Sequence, residues 1–223
     1  MRRDTFLFDL DGTLLDTLDD LTAATNAALR AYGCPPRTKE EVQGFVGNGI
    51  RLLLTRAAPG GEDNPHFSEI YDFFKTYYAV HCFDNTKPYP GIPEMLAGLK
   101  DRGCLVGVVS NKADFAVQEL VSRFFPGLAD GAAGEDEEGG VRKKPAPDLV
   151  YSVLKRLGSD PSRAVYVGDS EVDVQTAVNA SLPCLSVTWG FKTREFLLSH
   201  GATALVSSPA EILRAAEEER GEG

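Results

Sequence analysis

Thr5-Phe6-Leu7-Phe8-Asp9-Leu10-Asp11-Gly12-Thr13 is the stretch on which the fold turns. The apolar run Thr5 to Phe8 reads as a buried strand. Side chains alternate along a strand, so extended geometry through Leu10 points Asp9 and Asp11 the same way. Two carboxylates then converge beyond a strand tip, where open α/β sheets put their ligands. Like charges so close raise one another's pKa unless a cation sits between them. Oxygen ligands with few nitrogens or thiols suit Mg²⁺. The same residues alone also describe a surface turn, because Asp and Gly are common turn formers. The buried strand before them and three segments downstream favour the site.

Working outward, Leu15 to Ala31 carries a helical stripe through Leu18, Leu21, Ala24, Ala28 and Leu29, stopped at Gly33-Cys34-Pro35-Pro36. Thr38-Lys39-Glu40-Glu41 is a capping-box start, and the helix it opens is expected to break at Gly44. Gly47-Asn48-Gly49 leads into a helix over 50–58, and Phe67 to Tyr78 places aromatics at helical spacing, as the core of a helical bundle does. Residues 15–82 thus read as helices only. After Tyr89-Pro90-Gly91 the pattern alternates: strands at Leu105 to Val109, Ala129 to Ala133, Ala164 to Val167, Leu185 to Thr188 and Ala204 to Val206, with helices between. Gly134 to Gly140 is acidic and glycine-rich, which predicts a solvated, mobile connector. Alternating elements imply a parallel sheet with helices on both faces. The expected organisation is an α/β core domain, residues 1–15 and 86–223, with an inserted helical domain, 16–85, over the carboxyl ends of its strands.

The chain has 223 residues and a formal charge of −10, which argues against non-specific nucleic-acid binding and against an anionic membrane surface. Four widely spaced cysteines without a Cys-x-x-Cys pair suit a reduced, cytoplasmic protein. Three scattered histidines argue against a zinc site. No apolar run approaches the length that crosses a bilayer.

Strand ends along one edge of a parallel sheet converge, whatever their separation in sequence. Asp9 and Asp11 follow the first strand, Ser110 and Asn111 the second, Asp169 and Asp173 a later one, and Lys144 opens a helix. Carboxylates, one hydroxyl, one amide and one lysine match phosphoryl transfer to a carboxylate nucleophile. Neither a Gly-x-Ser-x-Gly elbow nor a nucleoside-triphosphate loop is present. A carboxylate cannot approach a phosphate dianion unaided, so a divalent cation beside Asp9 and Asp169, and Lys144 opposite, must offset the repulsion. Asp9 then attacks phosphorus, and Asp11 protonates the leaving alkoxide and later accepts a proton from water. Asp173, one helical turn after Asp169, is expected to hold a metal-bound water or Lys144. In the helical insert, Asn48, Gly49 and Arg51 either bind the distal anionic end of a substrate or simply begin a helix. Trp189 reads as packing near the domain junction, and Lys112 as a side chain that can point to solvent.

These segments resemble the four motifs of haloacid dehalogenase superfamily phosphatases, in order: Asp9-Leu10-Asp11-Gly12-Thr13, Ser110-Asn111, Lys144-Pro145 and Gly168-Asp169-Ser170-Glu171-Val172-Asp173. Phe45-Val46-Gly47-Asn48-Gly49, Tyr89-Pro90-Gly91, Ser110-Asn111-Lys112 and Thr188-Trp189-Gly190-Phe191 are most similar to the phosphoglycolate phosphatases of that superfamily. The resemblance implies a Rossmann-like core with a helical cap and a Mg²⁺-dependent phosphomonoesterase working through phospho-Asp9. It implies metal held at Asp9, Asp11 and Asp169, with the Asp11 side chain kept off the ion, and phosphate held by Ser110, Asn111 and Lys144. The implied substrate is a small phosphorylated metabolite, 2-phosphoglycolate first, for a monomer or homodimer. The competing expectations are a sugar-phosphate phosphatase, a pyrophosphatase or a β-phosphoglucomutase-like enzyme on the same core, and a non-enzymatic phospho-aspartate switch.

Overall fold

The opening apolar run forms β1, Thr5–Phe8, with every residue buried. The chain leaves through a two-residue strand β2, Leu15–Asp16, and returns through β3, Lys87–Pro88, which pairs with it. β4 (Leu105–Ala113), β5 (Gly131–Glu135), β6 (Ala164–Gly168), β7 (Cys184–Val187) and β8 (Leu205–Val206) follow. With β1 they form a six-stranded parallel sheet, ordered β5-β4-β1-β6-β7-β8. The computed structural model describes residues 3–136 and 139–218. Two compact units emerge, Met1–Leu15 with Pro88–Gly223, and Asp16–Lys87.

In the first unit the chain builds outward from β1 in one direction through β4 and β5, then in the other through β6, β7 and β8. β1 is therefore the switch point, and the carboxyl ends of β4, β1 and β6 flank one crevice. Alternation along β1 sends its side chains to two faces. Leu7 joins Val109 and Tyr166 in a cluster with Leu149, Val150, Val153 and Leu154 of the helix Asp148–Leu157. Phe6 and Phe8 share the other face, their rings stacked 6.5 Å apart. Fully buried aromatics of this kind each contribute roughly 1.5–3 kcal/mol. Gly134 lets β5 run close beside β4, since a Cβ there would strike the Lys112 carbonyl and the Asp114 backbone.

The second unit is built from α1 (Leu18–Ala31), α2 (Lys39–Phe45), α3 (Ile50–Ala57) and α4 (Phe67–His81). The capping box is present: Thr38 Oγ1 accepts from the Glu41 N–H, and the Glu41 carboxylate accepts from the Thr38 N–H. Phe67, Ile70, Tyr71, Phe74 and Tyr78 of α4 are buried, so the aromatic stripe is core. Asp20, in the first turn of α1, is 2% exposed. Its carboxylate accepts from the N–H of Asn85 at 2.9 Å and of Thr86 at 2.8 Å, from Asn85 Nδ2 at 2.9 Å and from Thr86 Oγ1 at 2.8 Å. A buried carboxylate with so many donors is satisfied rather than costly.

Three expectations need correction. Leu15 begins no helix; it pairs as a strand, and α1 starts at Leu18. Gly44 does not break α2, which runs on to Phe45 because a lone glycine weakens a helix by only about 1 kcal/mol. Gly134 and Glu135 are strand rather than connector, Gly134 being small for packing; residues 137–138 of that segment lie outside those described.

Candidate active site

Asp9 follows β1 directly, and its N–H still donates to the Val167 carbonyl of β6 at 2.9 Å, extending the ladder by one residue. Its Oδ1 lies 2.8 Å from Lys144 Nζ, which lies equally close to Asp173 Oδ1. Lys144 is 3% exposed. Its backbone is clasped by the Asn111 side chain, which accepts from the Lys144 N–H at 2.8 Å and donates to its carbonyl at 3.0 Å. The amide of Asn111 thus acts as a strand would, fixing the lysine.

Asp173 belongs to the helix Glu171–Asn179, whose N-cap is Ser170. Ser170 and Asp173 make a reciprocal capping box, with Ser170 N and Oγ both on Asp173 Oδ2. Oδ1 takes Lys144 and the Tyr166 hydroxyl, 3.3 Å away. Both oxygens are therefore engaged, and the helix cap doubles as the anchor for Lys144.

Asp169 lies between two glycines. A Cβ at Gly12 or at Gly190 would collide with its side chain, and Gly12 also needs its φ of +85°. Thr13 Oγ1 donates to Asp169 Oδ1 at 3.3 Å, and the Phe191 N–H donates to Oδ2 at 2.6 Å. Trp189 Nε1 donates to the Thr13 carbonyl at 3.0 Å. The loop after β7 therefore buttresses both the Asp9–Thr13 turn and Asp169. Trp189 thus does more than the packing expected of it.

Asp11 turns to Lys112. Lys112 Nζ lies 2.9 and 3.0 Å from the two Asp11 oxygens, and the lysine is 6% exposed rather than solvated. Ser110 and Asn111 do not follow β4 but lie within it; Ser110 is buried there and accepts from the Lys112 N–H through Oγ at 3.2 Å.

Charge dominates this region. Burial, then Asp173, pushes the Asp9 carboxyl up to about 7 despite Lys144. Burial, followed by Asp173 and Asp9, holds Asp169 well above the usual carboxylate range. Burial pulls the Lys144 ammonium down, but Asp173 and Asp9 more than reverse it, so it stays charged. Asp9, Asp169 and Asp173 bring ligand oxygens within 4.8 Å of one another. Three carboxylates against one ammonium leave a formal charge of minus two, and all donors are oxygens, so the set fits a hard divalent cation. Asp173 accepts four contacts, from Lys144, Tyr166 and Ser170, against two at Asp169 and the Lys144 contact at Asp9, so Asp9 and Asp169 keep more lone-pair capacity to hold it. Asn48, Gly49 and Arg51 belong to the other unit. There Arg51 pairs with Glu62 at 3.3 Å and lies over the Tyr71 ring, and Gly49 is the N-cap of α3.

The family of haloacid dehalogenase-like hydrolases matches residues 6–187. The chain belongs to that family. Its six-stranded parallel sheet with flanking helices is the haloacid dehalogenase fold, and the chain is a phosphatase of this kind. N-acetylmuramic acid 6-phosphate phosphatase of Pseudomonas aeruginosa is 33% identical over 217 residues, covering 96% of this chain and 94% of that one. Phosphoglycolate phosphatase 1 of the same organism is 30% identical, over 95% of this chain and 79% of that one. A crystal structure of a protein assigned as a phosphoglycolate phosphatase from Lactobacillus delbrueckii subsp. bulgaricus superposes with a TM-score of 0.91 at 37% identity, covering 97% of this chain and 99% of that one. Among the described residues no helix is long and apolar enough to cross a membrane.

Proposed function

We propose that this haloacid dehalogenase-family phosphatase hydrolyses the phosphate ester of a small hydroxy acid, 2-phosphoglycolate first, using Asp9 as nucleophile and Mg²⁺ as cofactor. The observation that carries this reading is the buried cluster in which Lys144 bridges Asp9 and Asp173 beside Asp169. A surface turn would not bury three carboxylates around one ammonium, because unpaired buried charge costs several kcal/mol. Asp9 and Asp169 would hold the Mg²⁺, which when bound offsets charge between nucleophile and phosphate and polarises phosphorus.

Lys144 binds a phosphate oxygen while Asp173 and Asn111 keep it in place. The Ser110 hydroxyl and neighbouring backbone N–H groups bind equatorial oxygens. Asp9 attacks phosphorus as the ester oxygen leaves, giving an aspartyl phosphate. Asp11 delivers a proton to that oxygen and afterwards takes one from the water that hydrolyses the intermediate. The Asp16–Lys87 unit is assigned to substrate selection, with Asn48, Gly49 and Arg51 as its anion-binding candidates. A cytoplasmic location belongs to the same reading and is supported by four widely spaced cysteines without a Cys-x-x-Cys pair.

A second substrate has a specific observation behind it. The N-acetylmuramic acid 6-phosphate phosphatase aligns over more of its own length than phosphoglycolate phosphatase 1 does. Both of those acids carry a carboxylate besides the phosphate. Phosphate release should be measured on 2-phosphoglycolate, N-acetylmuramic acid 6-phosphate, sugar phosphates, β-glucose 1-phosphate and pyrophosphate, with Mg²⁺ and with EDTA. Hydrolysis of a phospho-acid, abolished by EDTA and by Asp9→Asn, is the expected result. Preference for pyrophosphate, or isomerisation without phosphate release, overturns the assignment, and a stable label on Asp9 would indicate a switch.

A further inference from the structure

Lys112 is a second buried ammonium in this unit, and the reaction above gives it no task. We propose that Lys112 is a positioning residue that holds the Asp11 side chain away from the cation-binding carboxylates. The proposal rests on the reading of Asp11 as the proton carrier.

Both Asp11 oxygens lie on Lys112 Nζ, at 2.9 and 3.0 Å. Asp11 stands outside the group formed by Asp9, Asp169 and Asp173, although it is only two residues from Asp9. A flexible carboxylate this near a divalent cation binds it unless something else holds it. Captured there, it cannot carry a proton to and from the substrate. The chain supplies a competing cation instead, and it does so deliberately in structural terms, since burying an ammonium is costly without its partner. The main chain at Lys112 is held from two sides: its N–H donates to Ser110 Oγ, and its carbonyl packs so close to Gly134 that a Cβ there would strike it.

The test compares the wild type with Lys112→Met, Lys112→Gln, Lys112→Arg, Asp11→Asn and the Asp11→Asn/Lys112→Met double variant. Binding of Mg²⁺ alone is measured by calorimetry, and turnover on an alkyl phosphate and on p-nitrophenyl phosphate, whose leaving group needs no proton. Lys112→Met and Lys112→Gln should bind Mg²⁺ several-fold tighter, because Asp11 joins the ligands. Their kcat on the alkyl phosphate should fall about 10–100-fold, with a much smaller loss on the aryl phosphate. Lys112→Arg should restore most of both. In the Asp11→Asn background, replacing Lys112 should leave Mg²⁺ affinity unchanged. Tightening of equal size in that background would mean only a changed field, and the proposal fails. Slower turnover without tightening, or equal losses on both esters, overturns it too. If Asp11→Asn itself turns over the alkyl phosphate at near the wild-type rate, the proton-carrier reading falls first.

Discussion

Asp9→Asn in metal-free protein should raise stability at alkaline pH, although it removes the nucleophile. The Asp9 carboxyl has a folded pKa of about 7 against 3.8 for the free side chain, chiefly from burial. Between those two values the folded chain keeps a proton that the unfolded chain has lost. The folded state then binds more protons, so stability falls as pH rises through this window and levels off above it. At 1.36 kcal/mol per pKa unit the ionised carboxylate costs about 4 kcal/mol above pH 7. An asparagine keeps an oxygen acceptor for Lys144 and never ionises, so the variant escapes most of that loss, about 2–4 kcal/mol. The assay is urea unfolding in EDTA at pH 5 and pH 8 for both proteins. The variant should be more stable at pH 8, with the gap narrowing toward pH 5 and shrinking again when Mg²⁺ is added at pH 8. A variant no more stable than wild type at pH 8, or a gap indifferent to pH, refutes the electrostatic account of the site.

Lys144→Met should abolish turnover and destabilise the protein by about 3–5 kcal/mol at pH 8, because a buried pair loses one partner; chemical denaturation measures the second effect. Gly190→Ala should cut kcat about 100-fold or more by displacing Asp169, with far-ultraviolet circular dichroism unchanged. Asp20→Ala should leave the buried N–H and hydroxyl of Thr86 unpaired, free the Asn85 N–H and destabilise the helical unit by about 2–4 kcal/mol; limited proteolysis near residues 82–88 should then accelerate. Removing divalent ions should stop phosphate release, and Mg²⁺ should restore it, which an assay in chelated buffer checks.

The layout of the first unit was legible because its strands are short apolar runs ending in polar residues that have no structural reason to follow them. Asp9, Ser110 and Asp169 stand out that way, since strand ends in a parallel sheet must meet, whereas Lys144 lies in the turn before the helix Asp148–Leu157 and stands out by its charge alone. Lys112 is harder to read: β4 runs on past Val109 to Ala113 through a register shift, so alternation along the strand does not tell where the lysine points. The loop Trp189–Phe191 was missed for a different reason. Its contributions are a main-chain N–H, an indole N–H and an absent Cβ, and none of these carries a mark in the residue types. The double duty of Asp173 could be half seen. Its place one turn after Asp169 points to a metal-bound water or Lys144, and the lysine is what it holds; its other duty, the reciprocal cap with Ser170, is marked only by a serine standing three residues before an acid. Gly134 misled because composition alone does not separate a glycine chosen for mobility from one chosen for tight packing.

The Asp20 carboxylate buckles the outgoing and incoming chain of the helical unit together, and β2 beside β3 brings Leu15 and Pro88 to neighbouring strands, about 4.8 Å apart. A segment whose two ends meet in this way is, for the sheet, no more demanding than a hairpin loop. Residues 16–87 are thus an exchangeable cassette: an unrelated insert with ends equally close, or a short turn, can replace them without re-registering any strand of the catalytic sheet.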